Sequence, residues 1–400
     1  MRGGDTVIVA NGTYTEGVSG DSMPNGTSSA YTTVQAANFR GVTLRPPTIA
    51  TYCFVLHGNK HFLTFDGFVC DRTGDMPSGP QAVGGIDINA QNGLSDIKII
   101  NAEVHHINGD TYSCSSGCNF ATTAALGLSW PTSNVIVDNL YVHDIGYNQT
   151  AATCPAGSCP QGDLAYGIYL SGKGYTVQNS TFENMTAYAI HGNCGGGDCA
   201  NTNDIHNNTL NYTGEILAEG PHWQIYNNVL SHIGYGLAAM AKGNQANGIH
   251  VGQFGPADAS GTRIYNNTLY HVREACLVVG TAPSGPVAVK NNICLQTGND
   301  TLVSFAGARI DTATNLAGVD PGFVDTSAAR PDLHLAGMTG PAWNHGTMLD
   351  LGSPDHDGGA RPQSPATTWA IGAYEVGSTA PPPPAQPLPA PRNLRLVTLP

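Results

Sequence analysis

The 400-residue chain contains no apolar run approaching the length of a membrane-spanning helix, so no membrane partner is expected. Charge is scarce: Asp, Glu, Lys and Arg together make up 11% of the residues. The 16 Lys and Arg against 29 Asp and Glu leave a formal charge of −13. That balance lacks the basic footprint that phosphate backbones require, which disfavours nucleic acid as a partner. Helix formers are thin beside 50 Gly and 26 Pro, which argues against coiled coils and large helical bundles. The opening MRGGDTVIV lacks the basic start and apolar core of a signal peptide. It runs almost at once into a strand, Thr6-Val7-Ile8-Val9, as if the native start lies upstream. No paired CxxC of a zinc site occurs.

What is present points outward from the cell. Ten Cys include three tight loops, Cys114–Cys118, Cys154–Cys159 and Cys194–Cys199, rich in Gly and Ser. Loops closed this tightly suit local disulfides, and hence an extracellular or cell-surface location. Cys53 with Cys70, and Cys276 with Cys294, suit two further staples between strands of one coil. A zinc site is the competing reading, and its spacings fit poorly.

Hydrophobic content of 40% is ample for a core, and the pattern that organises it is a repeat. The segments VQNSTFENM, IHNNTLNYT, IYNNVLSHI, IYNNTLYHV and VKNNICLQT align on Asn179, Asn207, Asn227, Asn266 and Asn291, with Asn101 and Asn139 before them. Short alternating strands lie between, such as GIYLSG at 167–172 and NGIHVG at 247–252. One such unit cannot bury its apolar face, whereas copies stacked in parallel register can. Asn suits the corners: it tolerates left-handed backbone, and its amide can bond the next amide along the stack. The expected architecture is all-β, a right-handed parallel β-helix of about ten coils.

These pulses resemble the right-handed parallel β-helix superfamily that includes pectate-lyase-like proteins, across roughly residues 5–310. GDTVIVANGTYTE at 4–16 is similar to the first coil of secreted bacterial members. PDLHLAG (331–337), GSPDHDGGARP (352–362) and AIGAYEVG (370–377) resemble the segment that closes many of them. The resemblance implies a β-helix over 1–377. A Pro-rich linker at 378–391 follows, then at 392–400 a stub similar to the opening of a fibronectin-type module. It also implies an extracellular polysaccharide as partner of a monomeric protein, although members include lyases, hydrolases, epimerases and adhesins.

Alternate strand residues face outward, and taking Ile168 and Leu170 as inward gives an outward column of Asp87, Gly127, Tyr169, His191, Leu217, His250 and Val278. Tyr169, His191 and His250 cluster mid-column. Asp163, Lys173, Glu215, Glu219, Lys242 and Arg273 stand nearby. Eliminative cleavage of a uronic-acid glycan needs a carboxylate neutraliser, a base and an acid. His191 or His250 suits the base, Tyr169 the acid, and Lys242 or Arg273 the neutraliser. Asp163, Lys173, Glu215 and Glu219 are assigned to substrate binding. Some relatives use Ca²⁺ as neutraliser; Asp163, Glu215 and Glu219 could help to hold it, but they form no recognised calcium loop. No metal ligand is assigned.

Two alternatives stand beside this reading. A hydrolase would need two facing carboxylates, for which Asp163, Glu215 and Glu219 are the material. A non-catalytic glycan-binding or structural surface protein is the other, and as a binder it would use aromatics such as Trp130 and Trp223. Exposed polar residues on a solvent-facing sheet are also expected without any function. His105, His106, His143, His232 and His271 recur at the turn after a strand and are assigned to capping and stacking.

Overall fold

The computed structural model describes residues 1–46, 52–73, 84–89, 93–107, 123–146, 165–193, 202–235, 246–252, 258–305 and 307–377. The Pro-rich segment, the final nine residues and six of the ten cysteines lie outside them.

Each coil but the last contributes three strands in turn, as the first does with Thr6–Val9, Gly12–Tyr14 and Val18–Ser19. Copies stack into three faces, and every pairing between coils is parallel, as in Ile168 with Ile190 and Ile190 with Ile216. The second face is a sheet of eleven strands, from Gly12–Tyr14 to Leu316–Ala317. The first and third faces merge into one sheet of twenty, because the long strand Thr123–Asp138 turns the corner between them. The chain is therefore a right-handed parallel β-helix of eleven coils, the hand that parallel crossovers take.

Period-2 patterning makes the strands and fills the interior. Thr32–Ala36 alternates buried and half-buried residues. Phe54, Phe65 and Phe68 stack inside the early coils, with ring centroids 4.5 and 4.3 Å apart. Ile168, Ile190, Ile216 and Ile249 form a fully buried stack in the middle ones. Each such side chain stabilises the fold by about 1.5–3 kcal/mol.

The corner after the first face carries the aligned asparagines. Asn101, Asn139, Asn179, Asn207, Asn227, Asn266 and Asn291 all have φ between 51° and 57°, the left-handed region that Asn tolerates. Three of their amides reach a counterpart along the stack, Asn139 to Asn101 at 2.8 Å, Asn227 to Asn207 at 3.3 Å and Asn291 to Asn266 at 3.0 Å, while Asn101 and Asn179 donate to Asp66 and Asp138 of the preceding coil. A second ladder lies one residue on and fully inside. Asn208, Asn228, Asn267 and Asn292 each donate to the next amide oxygen, ending on Asn315, at 2.9–3.0 Å. Each also caps a strand carbonyl, Val177, Ile205, Ile225 and Ile264 in turn.

Two disulfides pair Cys53 with Cys70 and Cys276 with Cys294, as expected, but each joins successive coils and not strands of one coil: Cys53 precedes Phe54–His57 of one coil, and Cys70 lies in Phe68–Asp71 of the next. The segment after the last coil lies along the helix side, over the asparagine corner. Its Ala373 N–H donates to Thr268 Oγ1, its Gly352 and Pro354 carbonyls accept from Asn227 Nδ2, and Arg330 pairs with Glu183 far back along the stack. Inside the segment, fully buried Arg361 pairs with Glu375 at 3.1 Å and donates to the carbonyls of Ala370, Gly372 and Ala373. These contacts account for the GGARP and GAYE strings.

Replacing Asn267 by Ala strands the backbone N–H and an amide hydrogen of Asn228, and the carbonyl of Ile225. At about 1–3 kcal/mol per buried group left unpaired, Asn267→Ala should cost at least about 2 kcal/mol. A lowered denaturation midpoint measures it; a loss under about 0.5 kcal/mol contradicts the ladder's importance.

Candidate functional site

The outward column on the third face has the expected register. Asp87 pairs with Gly127, Gly127 with Tyr169, Tyr169 with His191, His191 with Leu217, Leu217 with His250, and His250 with Val278. Its exposure differs from expectation. Tyr169 is half-buried, but His191 is 9% exposed, His250 1% and Leu217 fully buried. The middle of this face is a covered polar layer, not an open sheet.

Leu217 also divides the cluster in two. In the first part, Tyr169 and His191 pack edge to face across adjacent coils, ring centroids 5.1 Å apart. The next outward positions along the same strands are Ser171, Asn193 and Glu219. Asn193 Nδ2 donates to Tyr169 Oη at 2.6 Å. Glu219 Oε2 stands 3.7 Å from His191 Nε2. Tyr166 and Tyr188 complete an aromatic surround, 5.2 and 4.9 Å from the His191 ring. Below it, Trp223 lies fully buried beneath Gly192, where a Cβ would meet the indole at 2.2 Å. Glycine is thus required for the His191 backbone to lie this close to the indole.

The second part is deeper. Glu215 is fully buried, with Oε1 at 3.6 Å from His250 Nδ1. Its Oε2 accepts from the backbone and side-chain N–H groups of Asn247, at 3.2 and 2.9 Å. Burial pushes the Glu215 carboxyl above its ordinary range, opposed by its contacts with His250 and Asn247. In register, Glu215 stands where neighbouring coils have Gly85, Ala125, Gly167, Ala189, Gly248 and Cys276. A carboxyl replaces a small residue at one coil only.

Buried polar atoms without hydrogen bonds gather here. Among the described residues, both ring nitrogens of His191 and of His250, and Glu215 Oε1, make none. Folded proteins pair nearly all such groups, so a concentration of exceptions calls for a reason.

Of the other assigned residues, Lys173 ends the Tyr169 strand and is half-buried, while Arg273 is exposed in the turn between Thr268–Val272 and Leu277–Val279. Asp163 and Lys242 lie outside the described residues, as does the side chain of Trp130. Glu215 and Glu219 are each turned to a different histidine rather than toward one shared point. Sequence reasoning missed Tyr166, Tyr188, Asn193 and Asn247. Three of them had a signal: Tyr166, Tyr188 and Asn247 each stand three residues before the column residue of their coil.

No family model matches the sequence, and no curated protein does. The fold is similar to that of pectate lyase Pel9A, with a TM-score of 0.58 at 16% identity over 94% of this chain and 89% of that one. A PL6 alginate lyase complex with trisaccharide gives 0.40 at 15% identity, covering 80% of each chain. An α-1,3-glucanase from Streptomyces thermodiastaticus gives 0.37 at 15%, over 79% of this chain and 64% of that one. The first likeness agrees with the parallel β-helix described above.

A carboxyl whose folded pKa is raised stabilises the fold while protonated, and that contribution is lost as pH rises through the raised value. Glu215→Gln keeps an acceptor for Asn247 and removes the titration. Between about pH 5 and about pH 8, the wild type should therefore lose stability relative to Glu215→Gln. Denaturant midpoints at both ends of that range measure this; parallel stability curves would contradict it.

Proposed function

We propose that the chain is a secreted polysaccharide lyase that cleaves a uronic-acid-containing glycan by β-elimination on the third face, at Tyr169 and His191. The carrying observation is the pairing of a held phenol with a carboxylate-backed imidazole on adjacent coils. Asn193 donates to Tyr169 Oη, so the phenol oxygen is already an acceptor and its own proton is free to be given away. Glu219 Oε2 stands 3.7 Å from His191 Nε2, on one side of the imidazole. His191 removes the proton on the carbon next to the uronate carboxylate. The electron pair forms the new double bond as the glycosidic C–O bond breaks, and Tyr169 protonates the departing oxygen. Arg273 or Lys242 neutralises the uronate, with Lys173 and Asp163 assigned to substrate binding. If Ca²⁺ takes part, it would supply that neutralisation when bound. His250 and Glu215, more deeply buried, support the layer from behind Leu217.

The fold shared with a pectate lyase supports this reading, and so do two disulfides, which suit an oxidising compartment. Among the described residues no helix is long and apolar enough to cross a membrane. A glycan-binding role is the second reading, resting on the half-buried Tyr169 ring, since Tyr166 and Tyr188 beside it are buried. Hydrolysis is less well served, since Glu215 and Glu219 do not face each other across a gap.

Assayed by ultraviolet absorbance of the unsaturated uronide, calcium-supplemented protein should turn over at least one member of a panel of uronic polymers. Tyr169→Phe and His191→Gln should each lower kcat by about 10²–10⁴ with little change in KM. Full activity in Tyr169→Phe would remove the phenol from the mechanism. Retention on a glycan column with no product from any polymer would replace the lyase by the binder.

A further inference from the structure

The second face carries a cluster that the lyase reading does not use. Asp71 and His105 are register partners on adjacent coils, at the ends of the strands Phe68–Asp71 and Glu103–His105. Successive strand residues normally point to opposite faces. His106, however, takes φ 57°, and this left-handed corner swings its ring back beside His105. The two Nδ1 atoms then face each other at 2.6 Å, and Asp71 Oδ1 stands 3.7 Å from His105 Nδ1. One donor atom from each of the three residues lies within 4.8 Å of the others, with Asp71 buried and both histidines half-buried.

We infer that Asp71, His105 and His106 form a site for a late first-row divalent metal ion such as Zn²⁺, clasping two successive coils. Two imidazoles and one carboxylate oxygen are the donor set such ions prefer, whereas Ca²⁺ and Mg²⁺ take oxygen alone. An ion about 2.0–2.1 Å from each nitrogen needs the rings to part to roughly 3.3 Å, a small rotation for half-buried side chains.

The surroundings suit ligands held from behind. The second oxygen of Asp71 pairs with Arg45, and the first also accepts from the Thr73 N–H at 2.8 Å. Glu103 Oε1 lies 4.0 Å from the outer nitrogen of His105, and Arg40 holds the other Glu103 oxygen at 3.4 Å. Carboxylates behind ligating imidazoles fix their orientation. His143 stacks on His105 at 4.9 Å and closes one side.

The test uses the full chain, treated with chelator and dialysed. Titration calorimetry with Zn²⁺ and the visible spectrum with Co²⁺ should show about one ion per chain, in tetrahedral geometry with nitrogen and oxygen donors. His105→Gln and Asp71→Asn should each weaken Zn²⁺ binding at least about tenfold. His106→Asn should do the same while keeping a residue suited to left-handed backbone. Zn²⁺ should raise the unfolding midpoint of the wild type and leave that of His106→Asn unchanged. His271→Asn, at the same corner of a later coil, should bind like the wild type. Absence of Zn²⁺ uptake by the wild type would overturn the inference. So would wild-type affinity in a folded His106→Asn variant, which places the ion elsewhere.

Discussion

Everything in this molecule depends on the coils stacking without slipping, and the asparagine corner enforces that. At one point in each turn the backbone enters left-handed space, and an amide there can reach its counterpart in the neighbouring coil. One residue on, a buried amide pairs with the next and caps a strand end. A slip of one residue would break both ladders and turn every inward Ile outward. The register at the corner therefore fixes which side chains meet on the third face, far from the asparagines themselves. Tyr169 and His191 are 22 residues apart in sequence and adjacent in space for this reason.

The third-face column was readable from sequence because its signal is local: alternation within strands and one repeated asparagine between them. So were the two disulfides, whose cysteines sit at matching distances within the repeat. The buried ladder was harder to see. The second Asn of each Asn-Asn pair looks like the first until one knows which is inside. Burial of His191 and His250 was illegible too, since alternation says which way a side chain points and not what lies over it. Glu215 shows the same limit from another side. Only the complete register reveals that a carboxyl stands in a row of glycine, alanine and cysteine.

The histidines of the second face show how one sequence feature serves two ends. His106, His232 and His271 all occupy left-handed corners, φ 53–57°, and Tyr212 stacks on His232 at 4.4 Å. That agrees with the capping and stacking role their spacing suggested. Asp71 distinguishes the first of these corners from the others. It arrives from the preceding coil by a pairing that no local pattern displays.

The segment that runs back over the asparagine corner has a consequence for how the helix comes apart. In a plain solenoid each coil touches only its neighbours, so loss can begin at an end and spread by small steps. Here one stretch of chain holds Ile293 and Thr268 at one end and Glu183 at the other, with Asn227 between. It acts as a splint. Peeling the last coils means first lifting a strip fastened to coils well upstream, which ties distant turns into one cooperative unit.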